Sequence, residues 1–165
     1  MKIALLSDTH SFLDPLCVKH CETADEIFHA GDIGDVSVLE QLQKIKPTSA
    51  VYGNIDGQLI RSCSPRYTLL EREGLNILMI HIAGAFGSYN PETRGLLQRF
   101  KPQVLICGHS HILKVAHDHR FSCLYVNPGA AGNHGFHPVK TMITFHVKNG
   151  KPTEMDVIEL GRRIG

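Results

Sequence analysis

The run VLICGHSH, residues 104–111, passes from apolar residues into a glycine and two histidines one residue apart. Val104 to Cys107 read as a buried strand, so the polar residues mark its end. In extended chain, residues i and i+2 point to the same side, which would aim His109 and His111 at one place. An HxH pair alone is usually no more than two polar loop residues, and its meaning rests on what the rest of the chain brings beside it.

Working outward, the same pattern recurs. KIALLSD (2–8), DEIFHAGD (25–32) and PTSAVYGN (47–54) are short apolar runs that end in Asp or Asn. Between them, DVSVLEQLQKI carries Val36, Leu39, Leu42 and Ile45 at helical spacing, and NPETRGLLQRF (90–100) opens with an Asn-Pro that suits a helix start. Strand, helix, strand is the order of an α/β domain. RYTLLEREGLNILMIHI (66–82) and KTMITFHVKNGKPTEMDVIEL (140–160) each hold two apolar runs split by turn residues and predict β-hairpins. The expected architecture is two sheets with helices outside, one sheet built from the early strands and the other mostly from the hairpins. NPGAAGNHGFHP (127–138) reads as an ordered Gly-rich loop.

The chain has 165 residues and is 42% hydrophobic, which predicts one domain over residues 1–165. A net charge of +1 gives no basic excess for long nucleic acid, so an anionic substrate must be attracted locally. Five cysteines without a CxxC pair argue against a disulfide framework or a zinc knuckle and suit a reducing cytoplasm. Cys17 and Cys21, four apart on a predicted helix, read as small apolar side chains. No apolar run reaches the length of a membrane span, and the run before Asp8 is short for a signal peptide, so a cytoplasmic protein is expected. Eleven histidines are the compositional oddity.

The strand ends gather Asp8, His10, Asp32, Asn54, His81, His109 and His111, all oxygen or imidazole donors. In sheets with crossover connections such ends converge on one edge. Seven donors exceed what one ion takes with a position left open, whereas two ions sharing one carboxylate would use them all, and Asp32 is the natural bridge. The glycines before Asp32, Asn54 and His109 permit the tight backbone path that turns a ligand inward. His29 is a rival donor to His81, but it falls within a predicted strand. Asp56 reads either as an acceptor that fixes a ligand histidine or as a turn residue. His134 is a candidate substrate contact from the Gly-rich loop.

SDTH, GDIGD, GNID, the histidine of MIHIAG, and GHSH together resemble the ordered motifs of the calcineurin-like metallophosphoesterases, in particular the small YfcE-like phosphodiesterases without a cap domain. The resemblance runs from Lys2 to Ala130 and implies an α/β fold: a two-sheet β-sandwich flanked by helices, with a dinuclear site at one edge. It implies that Asp8, His10 and His111 hold one ion, that Asn54, His81 and His109 hold the other, and that Asp32 bridges them. It further implies phosphodiester hydrolysis by a hydroxide bridging two divalent ions, with Asp32 and Asn54 also catalytic. Manganese is the first choice of metal, and nickel, iron, cobalt and zinc are compatible with the donors.

Two departures stand out. The position after Asn54, a histidine in the phosphoprotein-phosphatase branch, is Ile55 here, and the familiar His-Gly pair is spread into HIAG. The alternatives carried forward are a phosphomonoesterase acting on a small phosphorylated metabolite or nucleotide, and a protein-binding scaffold resembling the retromer subunit. The expected partner is a small phosphate ester, with no membrane and no long nucleic acid; association into a homo-oligomer is left open.

Overall fold

Residues 1–163 are described here by a computed structural model. In its first third, β1 (Lys2–Leu6), α1 (Pro15–Glu22), β2 (Glu26–His29), α2 (Val36–Ile45) and β3 (Thr48–Ala50) alternate, and the three strands run parallel in the order β1-β2-β3. Each helix begins where the sequence can satisfy its first free amides. Asp14 accepts from Leu16 N ahead of Pro15, and Asp35 accepts from Ser37 N. Such a cap is worth about 1 kcal/mol. Cys17 and Cys21 are fully buried on α1, and Val38, Leu39 and Leu42 are the buried face of α2.

The chain continues through α3 (Gln58–Cys63), the hairpin β4 (Tyr67–Arg72) and β5 (Leu75–Ile80), a small ribbon of β6 (Gly84–Ala85) and β7 (Ser88–Tyr89), and α4 (Pro91–Phe100). It then forms β8 (Val104–Ile106), β9 (Lys114–Asp118), β10 (Cys123–Asn127), β11 (Val139–Lys148) and β12 (Lys151–Arg162). One five-stranded sheet has the order β12-β11-β1-β2-β3 and the other β4-β5-β8-β10-β9. Both predicted hairpins form, but they do not share a sheet. β11 lies antiparallel to β1, pairing Ile3 with Phe145, so the C-terminal hairpin extends the sheet of the early strands. The reason is burial: β11 is buried on both faces from Lys140 to Phe145, and beside β1 each of its faces is covered.

The faces of the two sheets meet over Ile3, Leu5, Phe28, Ile77, Val104, Val126 and Phe145. Truncating a side chain such as Phe28 to alanine in such a layer costs about 3–5 kcal/mol. α1, α2 and α3 cover the outer face of the first sheet through Cys17, Leu42 and Ile60, and α4 covers the second through Leu96 and Leu97. The structure is therefore a two-sheet sandwich flanked by helices. Among the described residues, no helix is long and apolar enough to cross a membrane.

In the sandwich, β1, β2 and β3 are parallel in one sheet, and β5, β8 and β10 in the other. Hydrogen bonds tie the strand ends together within each set: Asp8 N donates to Gly31 O, His10 N to Asp32 O, and Gly108 N to His81 O. Those from His81 Nδ1 to Ala30 O and from His109 N to Asp8 Oδ2 join one set to the other.

Candidate metal centre

Asp8, His10, Asp32 and His111 bring their donor atoms within 4.8 Å of one another, and so do Asp32, His81 and His109. Asp32 belongs to both groups. Its Oδ2 lies 3.6 Å from His10 Nε2, and its Oδ1 lies 3.2 Å from His81 Nε2. On the first side, His111 Nε2 stands 3.2 Å from Asp8 Oδ1. On the second, Asn54 Oδ1 stands 2.9 Å from His109 Nδ1, a separation that suits an N–H donated to the amide oxygen or two lone pairs directed at one cation.

The pairs converge differently from the extended chain expected. Asp8, His10, Asp32, His109 and His111 all have positive φ, between +45° and +68°, beyond the last residue of their strands. Successive left-handed turns bring Asp8 and His10 together while Thr9 turns away into the protein. They also send His109 and His111 to different sides of Asp32, where the extended reading aimed both at one point. A left-handed non-glycine residue costs roughly 1–2 kcal/mol, so the surrounding packing must hold these loops in place.

That packing depends on missing side chains. A Cβ on Gly53 would lie 2.0 Å from Asp32 Oδ1, and one on Gly108 would lie 2.0 Å from Ser7 Oγ. The loops therefore touch at glycine positions, and larger residues would separate the donors they carry.

Hydrogen bonds fix the donors further. His81 Nδ1 donates to Ala30 O at 2.7 Å, which leaves the Nε2 lone pair facing the cluster. Asp32 Oδ1 accepts from Ile55 N at 3.1 Å, and Asp8 Oδ2 accepts from His109 N at 3.2 Å. Asp56 contacts backbone rather than a histidine: its carboxylate accepts from Gly53 N, Ile33 N and Gly34 N, so it staples the Asn54 loop to the loop that follows Asp32.

His29, the last residue of β2, lies behind the cluster and outside both donor groups. Gly31 N donates to its Nδ1, so Nε2 carries the hydrogen and donates to Thr9 Oγ1 at 2.9 Å; Thr9 in turn donates to Ile33 O. Complete burial lowers the His29 pKa to about 3, with Asp8 and Asp32 opposing that effect and the neighbouring histidines assisting it. His134 is exposed, with its ring centroid 5.4 Å from that of His10. Ile55 projects beside the site and is 46% exposed.

Sequence reasoning missed two braces. Asn127 Nδ2 donates to Gly108 O and to Ser110 Oγ, holding the turn that carries both histidines. Arg163 donates to the carbonyls of Ala130, Gly132, His137 and Val139, clamping the Gly-rich loop. The asparagine of NPGA offered a signal, being a polar residue at the end of an apolar strand. Arg163 offered none.

The electrostatics follow from carboxylates and imidazoles packed together away from water. Burial pushes the Asp32 carboxyl up, but His81, the Ile55 amide and His10 outweigh it and hold the pKa below its ordinary value. Burial opposes charge on His81, yet Asp32 and Asp8 raise its pKa. At His10 burial wins over the two carboxylates, and the pKa falls. Asp8 Oδ1, His10 Nε2 and His81 Nε2 are buried without a hydrogen-bond partner among the described residues. Buried polar atoms are normally satisfied, so three orphans aimed at one region fit a metal. The oxygen and imidazole donors fit divalent ions of the manganese-to-zinc series.

Residues 1–150 match the calcineurin-like phosphoesterase superfamily domain. The chain belongs to that superfamily. It is 29% identical over 136 residues to a probable metallophosphoesterase of Methanocaldococcus jannaschii, covering 79% of this chain and 68% of the relative. It shares its fold with an archaeal phosphodiesterase (TM-score 0.76, 19% identity, 96% of this chain and 99% of that one). It shares it equally with Vps29 of Entamoeba histolytica, solved in complex with zinc (TM-score 0.73, 16% identity, 98% and 100%).

Proposed function

We propose that this chain is a metal-dependent phosphodiesterase in which Asp8, His10 and His111 hold one divalent ion, Asn54, His81 and His109 hold a second, and Asp32 holds both. The observation that carries the reading is the Asp32 carboxylate, with one oxygen turned to each donor group, beside buried donor atoms that have no hydrogen-bond partner among the described residues. Two divalent ions so held would supply a hydroxide nucleophile at neutral pH and would stabilise the charge that develops on a phosphoryl group.

The chain's own residues do the rest. Asn54 Oδ1 faces His109, which leaves the Asn54 NH₂ to donate to a phosphoryl oxygen where a carboxylate would repel it. His81, held by Ala30 O, keeps its lone pair on the site whatever the substrate. Ile55 contributes its amide to Asp32 and cannot act as an acid through its side chain. Without a proton donor there, ester groups that leave as weak bases are favoured, and a diester brings one less negative charge than a monoester. A small phosphodiester with a good leaving group is the substrate class, and manganese is the first choice among the compatible metals.

The shared fold with Vps29 favours a second reading, a protein-binding scaffold. Retention of all seven donors around one shared carboxylate weighs against it, but since Vps29 of Entamoeba histolytica was itself solved with zinc, hydrolysis rather than metal binding separates the two readings. The test is hydrolysis of bis(p-nitrophenyl) phosphate and p-nitrophenyl phosphate across manganese, nickel, cobalt, zinc, iron and magnesium, with metal titration in parallel. Metal-dependent release, faster from the diester, is expected. Hydrolysis of neither ester under any of these metals, whether or not metal binds, overturns the esterase reading in favour of the scaffold.

A further inference from the structure

The two flanks of the metal centre differ. Beyond Asn54 and His81 lies a small pocket of about 140 Å³, bordered by Arg61 and Arg66. Beyond Gly108 and His109 lies a groove of about 550 Å³, and Ile82 borders both. Ile82, Phe86, Ile112 and Tyr125 give the groove apolar walls, with Ser110 and Lys114 as polar handles. Its volume is in the range of small-molecule sites, and its predominantly apolar lining with a few polar groups is their usual make-up.

Three details point to a flat ring as occupant. Phe86 meets Tyr125 edge-on at 5.4 Å, and Lys114 Nζ stands 4.8 Å over the Phe86 ring, so the wall is aromatic with a cation against it. Ile112 is 57% exposed and Ile82 36% exposed beside the site, leaving apolar surface that a ligand would cover. Ser110 Oγ already accepts from Asn127 Nδ2 and Ile112 N, so its own hydrogen is free to donate. The pocket on the other flank has about a quarter of that volume, and its arginines suit an anion.

We propose that the groove beyond His109 binds an aromatic substituent of the phosphoester substrate, an aryl group or a nucleobase, and so selects aromatic esters over small alkyl ones. This rests on the phosphoester reading of the metal centre. Ile112 and Phe86 carry the selection through area buried on binding, and Ser110 adds a hydrogen bond to rings that bear an acceptor.

The test is calorimetric binding of phenylphosphonate and methylphosphonate to the manganese-loaded full chain. Phenylphosphonate is expected to bind about tenfold tighter or more, as burial of a ring implies. Ile112→Asp should remove most of that preference, and Ile112→Leu should retain it. Equal affinities in the native chain, or a preference that survives both Ile112→Asp and Phe86→Ala, would overturn the groove while leaving the metal centre standing. Failure of both phosphonates to bind overturns the phosphoester reading, and the groove falls with it.

Discussion

Asp32 is the one side chain shared by both donor groups, and its two oxygens lie 3.2 Å and 3.6 Å from histidines on opposite sides. We predict that Asp32→Ala lowers diester hydrolysis by several orders of magnitude and reduces bound metal from two ions to one or fewer, because no other described carboxylate joins the two groups. Metal analysis of the purified variant, with circular dichroism to verify folding, reads both effects; a full-rate variant retires the two-ion reading. Ile55 makes the complementary case. Its amide is committed to Asp32 and its side chain is half exposed, so a histidine can be introduced without disturbing that hydrogen bond. General acid catalysis contributes roughly 10²–10⁴-fold, and Ile55→His should raise hydrolysis of alkyl monoesters by up to that factor with little gain on aryl diesters. Steady-state rates on both substrates decide it. Equal gains on the two would show that protonation of the leaving group is not what the native chain lacks.

At the scale of elements, the strands end early and the loops after them do the positioning. Thr9, turned inward between Asp8 and His10, links the loop after β1 to the end of β2 through His29. The folded chain holds His29 neutral down to about pH 3, whereas a free imidazole takes its proton near 6.5. Between those values protons bind the unfolded chain preferentially. The His29 contribution is therefore fully present above about pH 6.5 and is lost as pH falls towards 3, by at most about 1.4 kcal/mol per pH unit. Denaturant unfolding of the native chain and His29→Gln from pH 7 to pH 4 should show the steeper acid loss in the native chain. Parallel slopes would remove His29 from the account. Asp56 works at the same scale: three backbone amides from two loops converge on one carboxylate, which is why it has no histidine to hold.

For the whole molecule, the site lies where the two sheets meet, so a metal bound there stabilises the sandwich as well as the loops. An ion present at a hundred times its dissociation constant contributes about 2.7 kcal/mol, or about 5–10 °C in melting temperature for a chain of this size. Added manganese should raise the melting temperature by about that much, chelator should reverse the rise, and Asp32→Ala should blunt it. An unchanged melting temperature at saturating manganese would mean that the donors do not bind it.

Much of this could be read along the chain. Apolar runs ending in SDTH, GDIGD, GNID and GHSH identify the donors, because a strand must stop where polar residues begin and the topology carries such ends to one edge. The same local chemistry set the caps at Asp14, Asp35 and Asn90. Other features are absent from any local pattern. That the C-terminal hairpin joins β1 depends on which neighbour covers both faces of β11, a property of the assembled layers. That His109 and His111 part to opposite sides of Asp32 depends on left-handed turns held by Asn127 and by the contact of Gly108 with Ser7, partners far away in sequence. The placing of His29 behind the site and of an aromatic wall beside it has the same origin. Residue type and spacing decide which donors exist, because donor chemistry and strand termination are local; where each donor points was settled only by contacts between segments that the sequence keeps apart.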